Sequence, residues 1–247
     1  MVRSLRLTVA YDGTNYVGWQ RQANGPSIQQ ALEDALVPLV GGEPAPTVVG
    51  AGRTDAGVHA LGQVASVNVA FDLAASAVQR ALNVRLPLDV RVVGVVDASA
   101  GFHARYHATG KTYRYRIATT PVASPFERAY VFHAPGRYDL AAMRAAAAAL
   151  VGRHDFASFQ TVGSWPLETT RTIQRLDVRD TPSEIVIEVE GDGFLRHMVR
   201  AIAGTLLEVG QGQRPADSIS AVLAARDRHA AGRTLPALGL TLVAVKY

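Results

Sequence analysis

Two apolar runs, Thr47-Val48-Val49 and Val64-Ala65-Ser66-Val67-Asn68-Val69, flank the loop Gly50-Ala51-Gly52-Arg53-Thr54-Asp55-Ala56-Gly57-Val58-His59-Ala60. Each run has the composition of a strand, and the second alternates apolar and small or polar residues. Upstream, Pro26-Ser27 opens a helix with Ile28, Leu32, Leu36 and Leu39 on one stripe. Before that helix, Leu5, Leu7, Val9 and Tyr11 alternate with Arg6, Thr8 and Ala10 as a strand. Downstream come a helix over about 73–82 and a strand over 90–96. Two successive strands between two helices give the order β-α-β-β-α-β, the split βαβ or ferredoxin-like motif.

The remaining residues repeat this style at greater length. Strands are expected at 111–119, 130–132, 172–179, 184–190 and 240–245, with an Ala-rich helix over 139–151 and a weaker one over 216–226. A strong helix is expected from about Phe194, carrying Leu195, Met198, Val199, Ile202, Leu206 and Leu207. The expected class is α+β in two domains, 1–105 and 106–247. No linker rich in Pro, Gly or Ser separates them, and no sequence repeat relates them.

Composition narrows the function. Hydrophobic residues make up 48% and charged residues 19% of the 247, the balance of a packed globular chain. No stretch approaches the ~20 apolar residues of a membrane helix. Residues 1–6 lack the apolar core of a secretory signal, so the chain is expected to start folding at once. The absence of cysteine removes disulfides, zinc-thiolate sites, iron–sulfur clusters and thiol nucleophiles, and suits the cytoplasm. Only Lys111 and Lys246 are lysines; the remaining basic residues are arginine, a bias from which no function is inferred.

The pI of 9.6 flags nucleic acid, yet the net charge is only +4. Residues 1–105 hold 8 basic and 8 acidic residues; residues 106–247 hold 17 and 13. No acid occurs between Ala98 and Phe126, where Arg105, Lys111, Arg114 and Arg116 interleave with Phe102, His103, Tyr106, His107, Tyr113 and Tyr115. Cations neutralise phosphates and flat rings stack unpaired bases. A half-exposed strand with Arg out and Tyr in would produce the same pattern.

The glycine-rich loop is the other candidate. It is neither a Walker loop nor a dinucleotide fingerprint, since no Gly-Lys-Ser/Thr follows and the glycine spacing is wrong. Arg53 close to Asp55 favours the ionised carboxylate, which can act as nucleophile or base. A turn in which Asp55 only caps backbone N–H groups explains the same composition. Arg196 and Arg200, at i and i+4 on the expected helix, place cations near its positive end, an arrangement that suits a nearby anion. Arginine stems lying along an amphipathic helix are the plainer explanation. His103 and His107 share that spacing but have no further ligands, so no metal site is expected. His59 is expected to be a packed loop histidine more readily than a catalytic one.

Together these segments resemble the tRNA pseudouridine synthase A family over nearly the whole chain. Tyr11-Asp12-Gly13-Thr14-Asn15-Tyr16-Val17-Gly18-Trp19-Gln20-Arg21-Gln22 and Ile28-Gln29-Gln30 are similar to its opening. Gly52 to Ala60 is similar to its active-site loop, with Asp55 at the essential aspartate. Phe102-His103-Ala104-Arg105, Lys111 to Tyr115 and Gly193 to Arg200 match further segments in order. The resemblance implies a pseudouridine-synthase fold: two ferredoxin-like (RRM-like) halves forming a long, mainly antiparallel sheet, with helices on one side and a central active-site cleft.

It also implies the chemistry. Uridine in tRNA becomes pseudouridine without a cofactor, at positions 38, 39 and 40 of the anticodon stem-loop, in a homodimer. Asp55 would attack covalently or remove a C2′ proton. Tyr113 would stack on the flipped base and serve in the later proton transfer at C5. Arg200 would pair with Asp55, and Arg53 would help extrude the target nucleotide. His59, Arg105, Lys111, Arg114 and Arg196 would be RNA contacts. The segment Leu235 to Leu240 departs from the family pattern, which leaves the pocket contacts of Leu238 open. Two alternatives remain: a non-catalytic RNA-binding module, whose glycine-bearing strand motif is absent from 111–116, and a nucleoside hydrolase using Asp55.

Overall fold

The computed structural model describes residues 2–164 and 167–247. They form two compact units: residues 2–109 with Leu242–Tyr247, and Gly110–Thr241. The return of 242–247 to the first unit has no counterpart in a single cut near residue 105.

In the first unit, β1 (Arg3–Tyr11), α1 (Ile28–Leu36), β2 (Val49–Gly50), β3 (His59–Val69), α2 (Ala75–Arg85) and β4 (Val90–Ala98) follow the β-α-β-β-α-β order. The strands lie β4-β1-β3, with β2 also on β3, all antiparallel. Leu5, Leu7 and Val9 of β1 are fully buried, so the alternation points one face into the core. α1 is capped by the Ser27 side chain, which accepts from the Gln30 N–H. Ile28, Leu32 and Leu36 then pack inward. β2 is reduced to two residues, Val49 and Gly50. β3 instead begins at His59, earlier than the alternation at Val64 suggests.

The second unit contains β5 (Gly110–Ala118), β6 (Phe132–His133), α3 (Leu140–Ala148), β7 (Gly152–Asp155), β8 (Thr170–Asp180), β9 (Glu184–Gly191), α4 (Met198–Gly210) and α5 (Ile219–Ala225). The antiparallel order is β5-β9-β8-β7; β6 joins β5 in parallel. β10 (Leu240–Lys246) starts in this unit and from Leu242 belongs to the first, where it lies beside β3. Asp139 caps α3 through the Ala142 N–H at 2.9 Å. α4 buries eleven of its thirteen residues, and Arg200 and Glu208 are the two that stay half-buried.

α4 starts at Met198, not near Phe194. His197 precedes it with φ 63 and ψ 4, a left-handed conformation that the right-handed helix cannot incorporate. Arg196 therefore lies outside the helix, and the shared helical face expected for Arg196 and Arg200 does not exist.

Candidate active-site residues

The loop 52–58 leaves β2 and enters β3, and residues 11–22 brace it. Gly18, at φ +110, lets the chain pass so close that the Trp19 N–H donates to the Thr54 carbonyl at 3.1 Å. The Tyr11 hydroxyl meets the Thr54 hydroxyl at 2.8 Å in the core. Burial pushes the Tyr11 phenol well above its ordinary range, so it stays neutral. Gln63 Nε2 holds the Gly52 carbonyl at 3.0 Å, and the Gly57 N–H reaches the Tyr16 carbonyl at 3.4 Å. Within the loop, the Val58 N–H closes a turn on the Asp55 carbonyl at 3.1 Å. Thr54 is thus buried while Asp55 is half-buried and Arg53 exposed.

A polar chain runs from Arg53 into the unit. Arg53 Nε donates to Gln20 Oε1 at 3.1 Å, Gln20 Nε2 to Gln29 Oε1 at 2.6 Å, and Gln29 Nε2 to Glu33 Oε1 at 2.9 Å. Glu33 is buried, and the Arg21 guanidinium at 3.0 Å and the Val48 N–H at 3.1 Å satisfy its two oxygens. The Gln-rich start of α1 therefore orients the exposed arginine beside Asp55.

His59 is only 5% exposed. Its Nδ1 accepts from the Gly13 N–H at 3.1 Å and lies 3.1 Å from Asp12 Oδ1. A nitrogen that accepts from Gly13 has no hydrogen for Asp12, so the two contacts are alternatives set by which ring nitrogen carries the hydrogen. Asp12 Oδ1 also takes the Thr14 N–H at 3.0 Å and the Thr14 hydroxyl at 2.6 Å.

In the second unit, β5 buries Tyr113, Tyr115 and Ile117 on one face and directs Arg114 and Arg116 to the other. Tyr113 is 8% exposed and meets Phe194 edge-on, ring centroids 5.2 Å apart. Tyr115 is fully buried, and its hydroxyl donates to the Pro236 carbonyl at 2.7 Å. Lys111 is half-buried at the start of the strand.

The acid-free window is not a free cationic surface. Arg114 pairs across the ladder with Glu188 at 3.0 Å, and Arg116 meets both Glu184 and Glu127. Glu188 also takes Arg175 at 2.8 Å and Arg179 at 3.2 Å. Counting charge along the sequence missed acids that strand pairing returns from seventy residues away.

Arg200 is the third residue of α4. Its Nε donates to the Leu235 carbonyl at 2.7 Å, and the Leu235 N–H donates back to the Arg200 carbonyl at 3.2 Å. The atypical Leu235–Leu240 segment thus holds Arg200 by its backbone, and Gly239 packs against the Tyr115 ring. Arg196 is exposed before the helix; its carbonyl accepts the Thr161 N–H at 3.3 Å. His197 Nδ1 lies 2.7 Å from the Thr161 hydroxyl. Thr161 carries no sequence signal. The positive φ of His197, a residue other than glycine, was equally invisible.

Among the described residues, no three His, Asp or Glu side chains gather as a metal site. No helix there is long and apolar enough to cross a membrane.

The family model described as tRNA pseudouridine synthase matches residues 7–107 and 146–247. A tRNA pseudouridine synthase A from Syntrophotalea carbinolica is 46% identical over 98% of this chain and 96% of its own length. One from Myxococcus xanthus is also 46% identical, over 98% of this chain and 91% of its own. A solved Cbf5-Nop10-Gar1 complex aligns with 82% of this chain and 45% of its own at 12% identity, with a TM-score of 0.35, too loose to carry a structural argument.

Proposed function

Because this chain belongs to the tRNA pseudouridine synthase family, we propose that it isomerises uridine to pseudouridine in the anticodon stem-loop of tRNA, at positions 38, 39 and 40. The observation that carries this reading is Asp55, half-buried on a loop whose neighbours on both sides are tied to residues 11–22. A carboxylate at such a place is held ready for chemistry with little reorganisation.

The reaction needs no external reagent. In one route the Asp55 carboxylate bonds to C1′ while the N1–C1′ pair passes to the uracil. The ring turns, C5 bonds to C1′ as the ester breaks, and the C5 proton leaves while N1 gains one. In the other, Asp55 removes the C2′ proton as the N1–C1′ pair passes to the uracil, giving a glycal; C5 then bonds to C1′ as Asp55 returns the proton to C2′, and the C5 proton leaves while N1 gains one. Both require the uridine to leave its stack. Arg53, exposed and fixed through Gln20, supplies the group that takes its place.

Tyr113 offers a ring to the extruded uracil and a hydroxyl for the proton at C5. Arg200, locked by Leu235, supplies positive charge for the anionic steps. His59 is buried and serves by fixing the residue 12–14 turn against the loop. Arg105, Lys111, Arg114 and Arg196 are assigned to the RNA, Arg114 with its charge already shared with Glu188. A homodimer belongs to the same reading by resemblance. A cytoplasmic location rests on the RNA substrate and a chain without cysteine.

Asp55→Asn separates this function from binding alone. Pseudouridine formation on unmodified tRNA should fall below detection while tRNA affinity stays within about threefold. Unchanged modification would remove Asp55 from the chemistry. Release of free uracil by the wild type would make the chain a hydrolase.

A further inference from the structure

The turn Phe102 to His107 is anchored in the first unit from both sides. Ala104 is fully buried. Its N–H donates to Ser66 Oγ at 3.1 Å, and its carbonyl accepts from the Tyr247 hydroxyl at 2.8 Å. Phe102 packs on the buried cluster of Ala51, Val64 and Ala104, and its ring meets Tyr247 and His107 at 5.2 and 5.7 Å.

This anchored turn fixes an aromatic pair. His103 Nδ1 accepts the N–H groups of Arg105 and Tyr106, both at 3.2 Å, which sets the plane of the imidazole. Tyr106 stacks on it with centroids 4.1 Å apart and planes 23° apart. Yet Tyr106 is 77% exposed, and Arg105 and His107 beside it are exposed too.

An aromatic ring ordered on one face and open to water on the other gains little for the fold. Its sequence neighbours Arg105 and His107 are polar and exposed, so the ring does not extend an apolar protein-docking patch. One flat face next in sequence to an exposed arginine matches one unstacked base and its phosphate.

We propose that Tyr106, backed by His103, is a stacking platform for one unpaired tRNA base other than the isomerised uridine, with Arg105 meeting a neighbouring phosphate. The platform rests on tRNA being the substrate and adds a second point of grip on it.

The test uses the full chain and tRNAs carrying a single abasic site at each unpaired position in turn. Tyr106→Ala should weaken tRNA binding about tenfold, with the single-turnover rate at saturating tRNA unchanged. Tyr106→Phe should bind as the wild type does. One abasic tRNA should weaken wild-type binding to the same degree and cost the Tyr106→Ala protein nothing further. Wild-type affinity in Tyr106→Ala, or additive losses at every abasic position, overturns the platform. So does a change in oligomeric mass on sizing, which would give the ring to a protein contact. Absence of pseudouridine from wild-type reactions would sink the functional reading instead, and is scored in the same tubes.

Discussion

Gly18 stands directly over Thr54: a Cβ built on Gly18 would lie 2.6 Å from the Thr54 carbonyl oxygen. The obstacle is backbone, not a side-chain end that can swing away, and φ +110 already disfavours any L side chain. Gly18→Ala should therefore displace the loop that carries Asp55. We expect a Tm loss of several degrees and at least a tenfold lower single-turnover rate, measured by thermal unfolding and pseudouridine mapping. A fully active Gly18→Ala would mean that the brace does not set Asp55.

His197 holds a left-handed backbone that costs roughly 1–2 kcal/mol for a residue with a side chain, and the Thr161 hydroxyl is tied to its ring. Thr161→Val keeps the shape and deletes the tie. We expect a loss of about 1 kcal/mol in stability and a lower kcat with KM little changed, because Arg200 lies three residues on. Thr161→Ser should restore both. Equal kcat in the Val and Ser variants would detach this contact from Arg200.

Burial alone would raise the Glu188 pKa, but hydrogen bonds from Arg175 and Arg114 outweigh it and hold the carboxyl below the usual glutamate range. A depressed native pKa means the unfolded chain binds more protons in the window between the two values. The stabilisation is full above that window and disappears as pH falls through the native value. Glu188→Gln should lower Tm at pH 7 by roughly 2–8 °C and flatten the loss of Tm below about pH 5. An unchanged acid slope in scanning calorimetry would exclude Glu188 as its source.

Tyr113→Phe keeps the edge-on contact with Phe194 and removes one hydroxyl. Tm should stay within about 2 °C, consistent with a conservative change at one polar atom. Tritium release from uracil C5 should slow at least tenfold while tRNA affinity holds. Wild-type release would confine Tyr113 to stacking.

The ferredoxin-like order was legible because its signals are local: Leu5, Leu7 and Val9 alternate, and Ser27 caps a striped helix. The start of α4 was not, since nothing in the sequence marks His197 as left-handed. Asp55 and Arg53 stood out by composition and resemblance. Their support did not, because Tyr11–Thr54 and Gln20–Arg53 join residues that only the fold brings together. The charge of β5 misled for the same reason: Arg114 and Glu188 become neighbours only in the ladder.

The last six residues, 242–247, complete a unit whose other residues end at Thr109. During synthesis, the ribosome must make the entire second unit before β10 can cover the edge of β3 and Tyr247 can reach Ala104. The half that carries Asp55 is thus translated first and closed last. A nascent chain stalled before Leu242 would hold an aspartate loop on a sheet with an open edge. Closure of the unit that carries Asp55 is thereby coupled to synthesis of residues 242–247.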